Sequence, residues 1–133
     1  MSITITLSDQ DKATVRTAAY GAVSLLAAAS AKPHKVATAG TTALYSATGL
    51  VGHVLAAKSK DIKLQGKTVA DLADQVLPAL TAAVSLFEQQ APAEADNFRT
   101  IVFVALETAQ TQGAPSPILA EMIRKVTEAL HAA

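Results

Sequence analysis

The chain of 133 residues contains no cysteine and no tryptophan, and only five of its residues are phenylalanine or tyrosine. The absence of cysteine excludes disulfides, thiolate metal sites and a cysteine nucleophile. The scarcity of aromatic rings and a net charge of zero argue against a surface that stacks on and neutralises nucleic acid. Neither a Gly-x-Ser-x-Gly motif nor a phosphate-binding glycine loop is present. We therefore predict a non-catalytic protein without a cofactor.

The first residues, MSITITLSDQD, contain neither a basic segment nor a long apolar run. They do not match a secretory signal, so we expect a cytoplasmic protein. A chain of this length is the size of one domain, and we expect residues 1–133 to form a single helical domain. Alanine accounts for 29 residues, which favours closely packed helices.

The segment from Val36 to Ala57 carries no Asp, Glu, Lys or Arg over 22 residues. One set of its residues has the spacing of a helix face that seeks a core: Val36, Gly40, Leu44, Ala47, Val51, Val54 and Leu55. The opposite side is small or mildly polar. A helix without a charged side is usually enclosed, so we predict a single central helix with protein all round it. Its length would suffice to cross a membrane, but its four threonines and its histidine favour a helix within a soluble core.

Local signals place the beginnings of the other helices. Ser8 and Thr68 are predicted N-caps, Pro92 suits a first helical turn, and Ser116 followed by Pro117 begins another helix. Pro33 should end the first helix, and Gly113 should cap the end of the helix that follows Pro92.

Each of these segments contains an apolar stripe with helical spacing. The first helix should bury Val15, Ala19, Ala22, Val23, Leu26 and Ser30; the third Val69, Leu72, Val76, Leu80, Ala83 and Phe87; the fourth Phe98, Ile101, Val102, Ala105, Leu106 and Ala109, with Phe103 and Val104 widening the stripe; and the last Ile118, Leu119, Met122, Ile123, Val126 and Leu130. Pro78 interrupts the third stripe, and we expect either a kink near Asp74 or a break into two short helices. The fold class is thus all-α, a bundle of about five helices.

A short N-terminal β-strand is an additional option. Residues 3–7 and 61–65 alternate apolar and polar side chains, which is the period of a strand. The two segments form either a two-stranded ribbon or extended loops.

The segment ETAQTQGAPSPILAEMIRKV, at residues 107–126, resembles a helix hairpin of TerB-like tellurite-resistance domains. The resemblance covers about twenty residues and implies two helices joined at Gly113. Where that family has Asp-Gly followed closely by acidic residues, this chain has Gln112 and Gly113 and no acid before Glu121. No function is carried over from it.

Charge divides the chain into two halves. Residues 1–67 contain eight Lys or Arg and three Asp, whereas residues 68–133 contain three Lys or Arg and eight Asp or Glu. The halves either neutralise one another within the fold or orient two copies of the chain. An uncharged row on the first helix, Thr17, Gly21, Ser24 and Ala28, could pack against the uncharged central helix. We therefore predict self-association, with a homodimer favoured, or binding to a protein partner.

Tyr45, Gly49 and His53 are candidate ligand-binding residues, because they stand at i, i+4 and i+8 of the predicted central helix. Gly49 would leave a notch in which His53 binds or transfers a proton and Tyr45 donates a hydrogen bond. Alternatively, Gly49 admits a neighbouring backbone and both polar tips find partners in the core. The first case predicts a small-ligand binder or a weak enzyme.

Lys32, His34 and Lys35 are candidate anion-binding residues, since they precede or begin the central helix, where free N–H groups attract anions. The alternative is that these lysines, like the four in residues 58–67, are simply solvated. Glu128 and His131 form one Glu-x-x-His motif, but di-iron bundles use two such motifs with two further glutamates, so we predict no metal site.

Overall fold

The computed structural model describes residues 7–56, 64, 68–113 and 116–132, and within them it contains six α-helices and no strand. The helices are α1 (Asp9–Ala29), α2 (Pro33–Tyr45), α3 (Gly49–Ala56), α4 (Val69–Gln90), α5 (Pro92–Gln112) and α6 (Pro117–His131). The all-α bundle is confirmed, with six helices rather than five. The proposed strands at residues 3–7 and 61–65 lie outside the described residues except for Leu7 and Leu64.

The uncharged segment forms two helices, so the prediction of one central helix is wrong. Its first helix, α2, ends at Tyr45, and α3 begins at Gly49, whose φ angle of 75° is in the left-handed region. Glycine adopts that conformation at little cost, so it allows the chain to change direction here. The prediction that protein encloses this segment on all sides is also wrong, because several of its residues are exposed: Thr38, Thr42, Tyr45, Gly49, His53 and Ala56.

The central helix of the bundle is α1, which contacts each of the other five helices, as α5 also does, and has the largest number of buried residues. Ser8 begins it with a capping box, in which the Asp11 N–H donates to the Ser8 hydroxyl and the Ser8 N–H donates to the Asp11 carboxylate. The predicted stripe is buried except at Ser30, the C-cap residue, which is half-buried; Ala18 and Leu25 are buried as well. Alanine and glycine allow the neighbouring helices to approach closely: Gly21 lies against Val76 of α4, and Val23 lies against Gly40 of α2.

Helix α4 continues through Pro78 without a break. Thr68 caps it as predicted, and its hydroxyl accepts from the Asp71 N–H. Pro78 removes the N–H that would bond the Asp74 carbonyl. Because Pro78 and Asp74 are both exposed, water can serve that carbonyl, and the helix does not need to split.

Helices α5 and α6 begin at Pro92 and Pro117 as predicted, and Gly113 caps the end of α5. The apolar stripe of α5 is buried from Phe98 to Ala109, but the predicted widening of it is wrong at Val104, which is 50 % exposed, and Phe103 is half-buried. In α6 the prediction fails at Ile118, whose side chain is 57 % exposed because it lies in the first turn on the outer side.

Candidate functional site

Tyr45, Gly49 and His53 do not share the face of one helix, because the break between α2 and α3 separates them. Tyr45 is the last residue of α2 and is 63 % exposed, with its ring centroid 6.1 Å from that of Tyr20. Gly49 is the first residue of α3, and His53 is exposed in the middle of that helix. The notch at Gly49 was expected on the face of one continuous helix, and α2 and α3 are separate helices, so it does not form there. The ligand-binding role of the three residues stays a prediction.

Two polar side chains of α5 hold the turn at Gly49 in place. The Glu94 carboxylate accepts a hydrogen bond from the Leu50 N–H at 3.0 Å, and the Asn97 amide donates to the Thr48 carbonyl at 3.1 Å. A negative charge at the start of α3 also matches the positive end of its dipole. A Cβ atom on Gly49 would lie 2.9 Å from the ends of the Glu94 and Asn97 side chains, which would have to shift, and the φ angle of 75° itself favours glycine.

The other end of α3 is bound by side chains of α1. Arg16 is 7 % exposed, and its Nε donates to the Val54 carbonyl at 3.1 Å. The Tyr20 hydroxyl donates to the Leu55 carbonyl. These bonds satisfy backbone acceptors that a helix end leaves without an intrahelical donor, and Arg16 places positive charge at the negative end of the dipole.

Burial, followed by the proximity of Tyr45, raises the pKa of Tyr20 to about 12. In the unfolded chain a tyrosine loses its proton near pH 10. The contribution of the neutral hydroxyl to stability is therefore complete below about pH 10, and it is lost as the pH rises towards 12. Across the neutral range the bond from Tyr20 to α3 persists.

The predicted anion-binding residues lie at the beginning of α2. Lys32 is its N-cap residue without a side-chain capping bond, and Pro33 occupies the first helical position. His34 and Lys35 line an open cavity of about 350 Å³ together with Thr38, Ala39 and Gln112. The structure thus brings two of the three predicted residues to one cavity, next to the last residue of α5.

A second groove lies where the outer sides of α1 and α4 meet, and it was not predicted from the sequence. Its volume is about 520 Å³, and its lining contains no charged residue: Gln10, Ala13, Thr14, Thr17, Pro78, Ala79 and Ala82. The uncharged row predicted on α1 borders it at Thr17, but the expected packing of that row on the central helix is wrong. Gly21 of the row packs against Val76 of α4 instead.

The sequence contains the signal for the α4 side of this groove. No Asp, Glu, Lys or Arg occurs between Gln75 and Phe87, and Pro78 and Ala82 stand one turn apart. In the described part of the chain, α4 is the one helix that is long and apolar enough to cross a membrane by length and composition. Only 28 % of its most apolar 18-residue window is buried. No large apolar side chain of α4 is exposed, and its exposed residues at the groove are the small Pro78 and Ala82.

Among the residues that the structure describes, no three or more histidine, aspartate or glutamate side chains form a group that could hold a metal ion. The His131 ring, from the Glu-x-x-His motif, contacts the Phe103 ring edge-on and forms a hydrogen bond with the Thr127 carbonyl. Glu128 instead contacts Arg124.

No protein-family model, no curated protein and no solved structure matches this chain. Any functional conclusion therefore depends on the surfaces described above.

Proposed function

We propose that this is a non-catalytic protein that self-associates, and that two copies meet through the outer faces of α1 and α4. The observation that carries the proposal is the uncharged groove between Gln10–Thr17 and Pro78–Ala82, which is lined by small and mildly polar side chains. Such a surface can be buried against a partner without the cost of desolvating a charge.

The chemistry of this face favours a second copy as the partner. In a two-fold dimer the same patch occurs on both sides of the interface, so any charge within it would face a like charge nearby. C-terminal to Lys12, α1 contains one charged residue, Arg16, and its side chain is buried against α3. Small residues at Ala13, Ala79 and Ala82 would allow the helices of two copies to approach closely.

We expect Ala82→Glu to disrupt the dimer. Ala82 is exposed in the single chain and lines the groove, so the substitution adds a charge without altering the core. In the dimer both copies would carry the charge into a desolvated interface, and we expect the dissociation constant to rise by at least about tenfold. Sedimentation equilibrium over a wide range of protein concentrations measures this change.

Ala120→Glu is the matched control, because Ala120 is an exposed alanine on α6, away from the groove. It should associate like the unmodified protein. An unmodified chain that stays monomeric at every concentration and at low salt would contradict the proposal, as would equal effects of the two substitutions. Co-sedimentation of a monomer with lipid vesicles would assign the same face to a membrane instead.

Anion binding at the beginning of α2 is a second candidate function, favoured by the cavity that His34 and Lys35 line together. The charge of Lys35 and the helix dipole both favour a phosphate or carboxylate group there. No acidic residue lines this cavity.

We expect inorganic phosphate to raise the melting temperature of the protein, and Lys35→Gln to abolish most of that rise. Lys125→Gln on α6 removes the same charge elsewhere and should retain it. The stabilisation should also weaken as sodium chloride is added, since exposed charges are screened by salt. Equal melting temperatures with and without phosphate would exclude this candidate.

A further inference from the structure

Helix α3 has a composition that does not favour a helix. Its eight residues, GLVGHVLA, include two glycines and two valines, which are weak helix formers. A helix of this length does not persist by itself in water, so α3 depends on its contacts with the rest of the bundle.

The two helices on either side of the Ser46–Thr48 turn are completed in different ways. The end of α2 is satisfied locally: the Ser46 N–H donates to the Thr42 and Ala43 carbonyls, and the Ala47 N–H donates to the Leu44 carbonyl. Both ends of α3, in contrast, are bound by side chains from α1 and α5, namely Glu94, Asn97, Arg16 and Tyr20. Loss of those bonds would leave the end of α2 complete, whereas α3 would be held only by its buried apolar side chains.

We propose that α3 is a detachable segment, which separates from α1, α2 and α5 as a unit at the Ser46–Gly49 turn while the other five helices remain folded. The four side chains that bind its ends form the latch. Proteins open locally in such units, and α3 is the shortest of the six helices and is built of weak helix formers.

Opening would expose a defined surface. Val51, Val54 and Leu55 are the buried apolar side chains of α3, and the surface of α1 beneath the helix includes the Arg16 side chain. The open state thus presents an apolar patch, and it removes the Val54 carbonyl from the Arg16 Nε–H. This inference does not depend on association through α1 and α4.

The lack of cysteine in this chain allows the opening to be measured by thiol labelling. Val54→Cys places a single thiol on the buried side of α3, and Val76→Cys places one in α4 against Gly21. Both valines are nearly inaccessible in the closed structure, and the substitution is the same. We expect the thiol at position 54 to be labelled at least about tenfold faster, because local opening exposes it without global unfolding.

The latch itself is tested by removing one of its bonds. Tyr20→Phe deletes only the hydroxyl that donates to Leu55, so hydrogen exchange of the α3 amides should accelerate while that of α4 stays unchanged. Thr81→Val is the matched control, because Thr81 donates in the same way to the Ala129 carbonyl of α6. That variant should accelerate exchange in the last turn of α6 and leave α3 unaffected. Glu94→Gln keeps an acceptor for the Leu50 N–H and should retain more protection in α3 than Glu94→Ala.

Two results would overturn the proposal. The first is equal labelling rates at positions 54 and 76, with the same dependence on denaturant. The second is an equal acceleration of exchange in α1, α3 and α4 by Tyr20→Phe, which would mean that α3 opens only when the whole bundle unfolds.

Discussion

Replacing Phe98 by alanine is expected to lower the free energy of unfolding by about 3–5 kcal/mol, the usual cost of removing a fully buried phenylalanine. Phe98 of α5 and Phe87 of α4 are both 0 % exposed, and their ring centroids are 5.7 Å apart. The substitution would leave a cavity between these two helices. Because a domain of this kind is stable by only about 5–15 kcal/mol, the loss is a large part of the total. Urea denaturation followed by circular dichroism measures it.

Phe103→Ala serves as the control, since Phe103 is a half-buried phenylalanine on the same helix. Its ring contacts His131 at the surface, so we expect a loss below about 2 kcal/mol. If Phe98→Ala does not fold, Phe98→Leu gives a measurable variant with a loss of about 1 kcal/mol. Similar losses at positions 98 and 103 would contradict the placement of Phe98 in the core.

Gly52→Ala should destabilise the protein by about 1–3 kcal/mol, although alanine is normally preferred to glycine within a helix by about 1 kcal/mol. A Cβ atom at this position would lie 2.3 Å from the Ala47 carbonyl oxygen and 2.6 Å from its carbon. Since these are backbone atoms, the turn or α3 must move to admit the methyl group. Whether Gly52→Ala lowers or raises the free energy of unfolding therefore tests the close contact directly. Thermal or urea unfolding measures this change.

Gly40 offers an informative comparison. There the added Cβ would meet the Val23 side chain, at 2.7 Å from its Cγ1 atom. We expect Gly40→Ala to be rescued in part by Val23→Ala, because truncation removes the obstructing atoms. No side-chain truncation removes the obstruction at Gly52. A stabilising effect of Gly52→Ala would show that the turn does not pack on α3 in this way.

Local signals in the sequence predicted where α1, α4, α5 and α6 begin, but Pro33, which was expected to end the first helix, is the first residue of α2. Ser8, Thr68 and Ser116 cap helices through bonds that span three residues, and Pro92 and Pro117 stand at first helical positions. Such interactions depend on neighbours in the chain, so the sequence alone contains them. The apolar stripes of α1, α4 and α5 were predictable for the same reason.

The break at Gly49 was not predictable from local signals. It is stabilised by Glu94 and Asn97, which lie more than forty residues away in the sequence. The lack of charge in residues 36–57 suggested enclosure, but threonine, glycine and tyrosine also tolerate water, and Thr38, Thr42 and Tyr45 are exposed. The prediction therefore placed the centre of the bundle one helix too late.

The burial of Arg16 also escaped the sequence analysis. A single arginine in an alanine-rich helix gives no indication of which group it binds. Its Nε donates to the Val54 carbonyl of α3, a helix that was predicted only as part of a longer one. Of the predicted anion-binding residues, His34 and Lys35 do line one cavity, because adjacent residues at a helix start remain close in any fold.

The same kind of contact recurs at the end of α6, where Thr81 donates to the Ala129 carbonyl and Arg99 donates to the Leu130 carbonyl. Contacts between alanine, valine and leucine have little directional preference, so they would permit a short helix to slide along its neighbours. Hydrogen bonds to particular carbonyls specify one axial position. In a bundle this rich in alanine, these few polar side chains define the axial position of the short helices, whereas burial of the apolar residues supplies most of the stabilisation.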